Sequence, residues 1–393
     1  MHIAFTEEQE QLRRDLQAYF ATLMTPEVQE QMASGDGEYG GGHLYKKLVR
    51  QMGADGWLGI GWPAEYGGQS RSMLEQLIFT DEASVAGAPV PFLTVNTVGP
   101  TLMHYGTEEQ KNDFLPRILR GEVHFSIGYS EPGAGTDLAS LTTRAVRDGE
   151  EWVINGQKMW TSLIQYADYV WLAARTDPDV AKHKGLSVFL VPTDTPGFKW
   201  SPVRTMSGTT TSATFYDDVR VPHSALVGEV NQGWKLITNQ LNRERVSLCS
   251  AAGVNNLLQQ VRQWAIDNTL ADGRRVIDQE WVQIHLARVH AKVEYLKLIN
   301  WKIAWGVSKG VGPQDASATK VLGTELYIEA YRAFMEILGQ ESYVQAGSPG
   351  SILRSRVERM HRSTLILTFG GGTNEVQRDI IAMVGLGMPR APR

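Results

Sequence analysis

Two changes of hydrophobic period divide this chain into three parts, and their order constrains the fold more than any single motif. Over residues 1–120 the apolar positions recur at helical spacing, as at Leu12, Leu16, Tyr19 and Phe20 behind the capping-box pattern Thr6-Glu7-Glu8-Gln9. Over residues 121–230 the pattern becomes that of strands. Apolar runs at 169–173, 186–191 and 214–216 lie between turn residues, and Asn155-Gly156 has the composition of a tight hairpin turn. Over residues 231–393 helical spacing returns, with long segments predicted at 234–268, 278–307, 313–338 and 351–368. The expected architecture is an N-terminal α-helical domain, a middle β-barrel or sandwich domain, and a C-terminal helical domain.

A chain of 393 residues with 42% hydrophobic and 21% charged residues has an ordinary globular composition and enough length for a large core. Its net charge of -5 argues against a nucleic-acid binder and against a basic membrane-surface protein. The single cysteine, Cys249, excludes an intrachain disulfide and fits a reducing compartment. No run reaches the roughly 18 apolar residues of a membrane span. Glu7, Glu8 and Glu10 stand where a secretory signal would carry its apolar core, so a cytoplasmic protein is expected. The nine histidines include no pair at metal-ligand spacing on one helix face, and no metal is expected.

Glu244 is the residue of most chemical interest. In a helix, Ile237, Leu241 and Leu248 form an apolar stripe, and Glu244 falls three residues after Leu241 and four before Leu248. Desolvation in such a stripe raises a carboxyl pKa towards neutrality, which suits a general base. The alternative is an ion pair with Arg243 or Arg245 at the edge of the stripe. Residues 128–137, Gly-Tyr-Ser-Glu-Pro-Gly-Ala-Gly-Thr-Asp, form a loop whose backbone can approach an anionic or carbonyl-rich ligand closely, with hydroxyls at Ser130 and Thr136. A plain tight turn has the same composition. Lys158-Met159-Trp160-Thr161-Ser162 is likewise explicable as a buried β-strand. Gly370, Gly371 and Gly372 precede a helix start at Thr373-Asn374-Glu375, where phosphate can bind or the chain can simply turn.

In this order these segments resemble the acyl-CoA dehydrogenase family of flavoproteins over nearly the whole chain. The bend Pro63-Ala64-Glu65-Tyr66-Gly67-Gly68 and the stretch Tyr105-Gly106-Thr107 with Gln110-Lys111 belong to the same resemblance. It implies an N-terminal helical domain, a middle β-domain and a C-terminal four-helix bundle, with FAD between the β-domain and the bundles of two subunits. The implied reaction is α,β-desaturation of an acyl-CoA thioester. A carboxylate takes the α-proton, donors steady the enolate oxygen, and the β-hydrogen leaves as hydride to flavin N5. By this resemblance Tyr129, Ser130 and Thr136 wrap the flavin ring and pyrophosphate, Trp160 and Ser162 stand beside N5, and Thr373 and Glu375 contact FAD. Many members carry the base in a Glu-Gly-Thr motif, which here reads Gly371-Gly372-Thr373. Members for branched or bulky acyl groups carry it on the first bundle helix, at the position of Glu244, with Arg245 in the neighbouring substrate slot. Gly371 then leaves a backbone N–H for the thioester oxygen and a wider pocket.

Two cofactor motifs depart from the family pattern. The Arg-x-x-Phe-Gly motif that grips the adenosine end of a neighbour's FAD reads Thr269-Leu270-Ala271-Asp272-Gly273, with Arg274 or Arg275 as substitutes under a shifted alignment. The Leu-Gly-Gly-x-Gly motif reads Leu338-Gly339-Gln340-Glu341-Ser342. This pattern resembles the Glu-bearing subunit of actinobacterial steroid side-chain dehydrogenases, which are α2β2 heterotetramers of two unlike subunits. The implied substrate is a steroid-CoA of the cholestenoyl-CoA type, the implied partner an unlike dehydrogenase subunit, and the implied acceptor an electron-transfer flavoprotein. Two alternatives are a non-catalytic structural subunit and a flavin oxidase or monooxygenase of the same fold. The flavin-ring residues and Glu244 oppose the first; the sequence does not exclude the second.

Overall fold

Helices α1 (Glu7–Leu23), α2 (Pro26–Ser34), α3 (His43–Ala54), α4 (Met73–Ala86), α5 (Gly99–Tyr105) and α6 (Glu108–Leu119) build the N-terminal part of the computed structural model. The structure describes residues 3–34, 42–247, 249–306, 312–346 and 348–390, with the side chains of 33–34, 242–247 and 354 outside that description. α1 starts at the expected capping box, where the Thr6 hydroxyl accepts from Gln9 N (3.3 Å) and Gln9 Oε1 accepts from Thr6 N (3.0 Å). Ser72 with Glu75 and Thr107 with Gln110 repeat the device at α4 and α6. Leu16 and Phe20 of α1, Val49 and Met52 of α3, Phe79 of α4 and Leu115 of α6 form one apolar core, which continues into the β-domain through Phe125, Trp171 and Val188.

The β-domain comprises β1 (Phe125–Gly128), β2 (Arg144–Asp148), β3 (Glu151–Lys158), β4 (Tyr169–Arg175), β5 (Leu186–Pro192), β6 (Phe198–Arg204), β7 (Thr210–Pro222) and β8 (Leu226–Val227). The strands run β6-β7-β3-β2-β4-β5-β8, with β1 beside β4. β2 touches β4 only where Arg144 stands opposite Arg175, so the sheet parts there. Its two halves share one core containing Trp152, Ile154, Leu172, Phe189, Tyr216 and Val219. That arrangement is the sandwich of the two expected forms. The end strands β6 and β8 do not pair with each other, so no barrel closes.

Asn155-Gly156 is not the hairpin. β3 runs straight through it, with a bulge between Ile154 and Gly156, and the turn lies at Gly149-Glu150, between Asp148 and its partner Glu151. The glycine answers a close approach: a Cβ at Gly156 would lie 2.5 Å from Thr143 Oγ1 and 2.7 Å from Thr143 Cα. Asn155 faces Asp218, donating Nδ2 to its carboxylate (2.9 Å) and accepting from its backbone N (3.0 Å).

The C-terminal part comprises α7 (Gly233–Ser247), α8 (Ala251–Asp267), α9 (Glu280–Gly306), α10 (Pro313–Leu338), α11 (Arg356–Ser363) and α12 (Asn374–Ile380). The helix expected over 234–268 is therefore two helices, broken at Cys249 and Ser250. No proline or glycine marks the break, and Ser250 caps α8 by accepting from Ala252 N (3.1 Å). Leu236 and Ile237 of α7 lie in the N-terminal core, whereas Cys249 and α8 to α10 form a second one. Among the described residues no helix is long and apolar enough to cross a membrane.

Gly323 of α10 lies against that break, and a Cβ there would stand 2.3 Å from Cys249 Cβ and 2.6 Å from its Sγ. Helix propensity favours alanine over glycine by about 1 kcal/mol, but overpacking costs about 1–3 kcal/mol. Gly323→Ala is expected to lower the thermal midpoint of the purified protein. A raised midpoint would show that Cys249 moves aside freely.

Candidate active site

The loop that follows β1 is held from inside and open outside. Tyr129 is buried; its hydroxyl donates to Gln240 Oε1 on α7 and accepts from Trp171 Nε1 on β4 (3.0 Å). Glu131 and Ala134 exchange both backbone hydrogen bonds (2.9 and 3.1 Å), which turns Pro132 and Gly133 outward. Among the described residues a methyl group at Gly133 or Gly135 would meet nothing within 4 Å, so no packing against them requires these glycines. Ser130 is half-buried and Thr136 exposed.

A second segment joins this loop where Met159 N donates to Ser130 O (2.8 Å). Just beyond it, Trp160 and Leu163 take left-handed backbone conformations, φ 66° and 63°. Each costs a non-glycine residue about 1–2 kcal/mol, and such strain gathers at ligand sites. The Trp160 indole is 55% exposed, although large aromatics are mostly covered. Thr161 N donates to Ser212 O (2.8 Å), and the hydroxyls of Ser162 and Thr211 lie 3.4 Å apart. Tyr129, Ser130, Trp160 and Ser162 are thus brought to one edge of the β-domain.

Lys158 fixes the arrangement. It has no solvent exposure, and its ammonium donates to Tyr129 O (3.0 Å) and Glu131 Oε1 (2.9 Å). The Glu131 carboxylate also accepts from Thr142 N (2.7 Å), Thr142 Oγ1 (2.8 Å) and Thr143 N (2.8 Å). Burial acts to raise the Glu131 carboxyl, but Lys158 and these donors outweigh it and hold the pKa at about 2. Burial lowers Lys158 to about 8 against the pull of Glu131, so at neutral pH the pair is ionic. Neither residue carries a role in the sequence reading. The available signal was a lysine in a strand read as buried, which requires a partner.

The C-terminal residues form a separate group. Gly371 and Gly372 both have left-handed backbones, φ 69° and 93°. Fully buried Lys320 of α10 donates to Gly372 O (2.9 Å) and Asn374 Oδ1 (2.7 Å). Thr373 caps α12 by accepting from Val376 N (3.3 Å), and exposed Glu375 has a carboxyl pKa lowered by its own backbone N–H and by Thr373. No hydrogen bond among the described residues joins this group to Trp160 or Ser162. The link between the domains nearest in sequence is Arg362 of α11, which donates to Met206 O in the β6–β7 turn (2.7 Å). Glu244 and Arg245 lie on α7, but their side chains fall outside the described residues.

At the altered adenosine motif, residues 269–273 form a turn closed by Leu270 N on Arg274 O (2.8 Å). The guanidinium of Arg274 sits on Asp272 (2.6 Å) and that of Arg275 on Asp278 (2.8 Å). Both arginines are therefore engaged within their own turn.

The β-domain edge fits the FAD that the resemblance implies. An exposed indole, open glycine backbone and clustered hydroxyls suit a flat aromatic ring with a pyrophosphate tail. Ser212 Oγ and Gln240 Nε2 are buried beside it and have no hydrogen-bond partner among the described residues, as donors that could serve a ligand would.

The buried pair predicts a pH response. The Glu131 pKa is depressed in the folded state, so its contribution is complete above about 4.5 and is lost as pH falls towards about 2. Urea unfolding of wild type is expected to lose stability more steeply across that window than that of Glu131→Gln. An equal slope in the variant would contradict the assignment.

Comparison with known proteins bears on the whole chain. The N-terminal domain of acyl-CoA dehydrogenases matches residues 6–122, the middle domain 126–219 and the C-terminal domain 231–386. The chain is 64% identical over 400 residues to acyl-CoA dehydrogenase FadE26 of Mycobacterium tuberculosis (strain ATCC 25618 / H37Rv), with all of both chains covered. It matches a chain of the ChsE4-ChsE5 complex from Mycobacterium tuberculosis with a TM-score of 0.93 and 64% identity, and a chain of the Tcur3481-Tcur3483 steroid ACAD with 0.93 and 50%, each over the full length of both. With all three domains matched in order, the chain belongs to the acyl-CoA dehydrogenase family and is an FAD-dependent oxidoreductase of that kind.

Proposed function

We propose that this chain is the base-bearing subunit of a heteromeric acyl-CoA dehydrogenase, and that its substrate is the CoA thioester of a bulky steroid side chain. One observation carries the reading: position 371 is a left-handed glycine, while Glu244 follows the fully buried Ile237 and Gln240 on α7 by seven and four residues. By helical spacing Glu244 shares a face with Gln240, which bonds Tyr129, and this supports a role for it beside that loop. Two of the similar structures are named as pairs, and one of those pairs is described as a steroid ACAD, which supports the partner and the substrate class.

The α-proton of a thioester is only weakly acidic, so its removal needs a carboxylate of raised pKa, the role given to Glu244. The family resemblance assigns Arg245 to the neighbouring substrate slot, and a glycine at 371 suits a branched acyl group. Ser130, Thr136, Trp160 and Ser162 hold the flavin and pyrophosphate on the β-domain edge, with Tyr129 fastening their loop to α7. Thr373 and Glu375 hold the cofactor from the C-terminal side. Bound FAD supplies the oxidising power that takes up the β-hydrogen as hydride. An electron-transfer flavoprotein serves as acceptor.

Glu244→Gln is expected to keep FAD and fold while losing roughly a thousandfold in turnover, since an amide cannot accept the proton. Retention of more than about a tenth of wild-type turnover would remove Glu244 as the base.

Assembly gives a second test. With Thr269 and Asp272 in place of arginine and phenylalanine, a homodimer would lose a charge-assisted pyrophosphate contact and an aromatic contact, on the order of several kcal/mol or a hundredfold in affinity. Expressed alone, the chain is expected to be largely colourless or poorly soluble. With a subunit carrying the intact motif it is expected to form a yellow α2β2 complex with about one FAD per heterodimer, measured as flavin absorbance against protein mass. An active homotetramer with one FAD per chain would overturn the proposal.

A further inference from the structure

The break between α7 and α8 is imposed by other helices. Cys249 O accepts from Asn300 Nδ2 of α9 (2.9 Å), and Ala251 N donates to Asn300 Oδ1 (3.2 Å). Ser250 O accepts from the Tyr327 hydroxyl of α10. The Ser250 hydroxyl donates to Asp81 Oδ1 of α4 (2.6 Å) while accepting from Ala252 N (3.1 Å). Backbone groups that a continuous helix would pair internally are thus taken by side chains of α9 and α10, and the serine that caps α8 is held by a carboxylate of the N-terminal domain. Asp81 is the only one of these anchors outside the C-terminal helices.

We infer that Asp81 is a positioning residue for the reaction: by holding Ser250 it fixes the end of α7, and with it the rotation of the last turns that carry Glu244. The inference rests on Glu244 being the base. Glu244 lies six residues before Ser250, and a helical side chain ends about 6 Å from the axis. A rotation of about 20° at that radius moves a carboxylate by about 2 Å, and a misplacement of about 1 Å can cost a hundredfold in rate. The charged surroundings leave the contact to Asp81. Glu82 beside it is engaged by Arg13 of α1 (2.7 Å), and Lys297 of α9 acts on Asp81 only at longer range. Burial raises the Asp81 carboxyl to about 6, the Ser250 hydrogen bond opposing it, so removal of the hydroxyl leaves a poorly solvated acid at the joint.

The experiment uses the holoenzyme and a steroid side-chain CoA thioester deuterated at Cα. Turnover, KM, loss of the α-deuteron to solvent, FAD content, and amide exchange at Ala251 and Ala252 are measured for Asp81→Ala, Asp81→Asn and Ser250→Gly. Asp81→Ala is expected to lower turnover and deuteron loss together by ten- to a hundredfold, with KM within about threefold, unchanged FAD and faster amide exchange. Asp81→Asn retains an acceptor for Ser250 and is expected to restore both rates to within about threefold. Ser250→Gly keeps a good capping residue, removes only the donor, and carries the same expectation should Asp81→Ala fail to fold. Wild-type deuteron loss in Asp81→Ala or in Ser250→Gly, beside an inert Glu244→Gln, would overturn the inference and leave the base assignment standing. Continued deuteron loss in Glu244→Gln would overturn the base assignment, and the inference with it.

Discussion

Two lysines without solvent contact hold the glycine-rich segments of this fold, and the rest of the candidate site depends on them. Lys158 donates to Tyr129 O and Glu131, and Lys320 donates to Gly372 O and Asn374. Burying an ammonium group costs several kcal/mol unless its acceptors are well placed. A loop whose carbonyl serves as such an acceptor cannot shift without stranding the charge. Glycine would otherwise leave these segments loose, and the buried cations remove that freedom while leaving the outer backbone open at Gly133 and Gly135.

The second organising element is α7, which is shared by two cores. Its first half contributes Leu236 and Ile237 to the N-terminal core, and the chain then passes at Cys249 into the core of the C-terminal helices. Tyr129 ties the cofactor-side loop to that first half through Gln240, and Trp171 aligns the phenol from β4. The distance between the loop and the middle of α7 is therefore set by a short chain of buried hydrogen bonds, not by surface loops. Such a network is stiff because each member left unpaired costs about 1–3 kcal/mol.

Much of the architecture was legible because burial patterns are local. Strands β4 and β5 announce themselves as apolar runs, and α1 by its capping box and its spacing of Leu12, Leu16 and Phe20. The failures share one cause, a requirement imposed from far along the chain. Gly156 looks like a turn glycine, yet it is there because Thr143 passes 2.5 Å from where its Cβ would be. The α7–α8 break has only the capping serine Ser250 as a local signal, and Asp81, Asn300 and Tyr327 hold it from three other helices. Tyr129, Trp160 and Ser162 could be picked out by resemblance. Lys158 and Glu131 lie inside the same motifs, 27 residues apart, but only the fold shows that they meet.

The glycine at 371 and the proposed base at 244 belong to one structural choice. A glutamate at 371 would have to hold a left-handed backbone at φ 69°, beside Gly372 at 93°, with a penalty of about 1–2 kcal/mol. Relaxing that strain would require the loop to move, and Lys320 on Gly372 O together with Gln377 on Gly371 O (3.5 Å) resists it. An interior position on α7 carries no such penalty, because glutamate is a good helix former. Once a carboxylate on α7 takes the α-proton, the loop is free to be all glycine, and its shape can be set by Lys320 and not by a side chain of its own. Returning the carboxylate to 371 then means rebuilding the loop as well as moving the charge, so the two base positions are not interchangeable by a single exchange of residues.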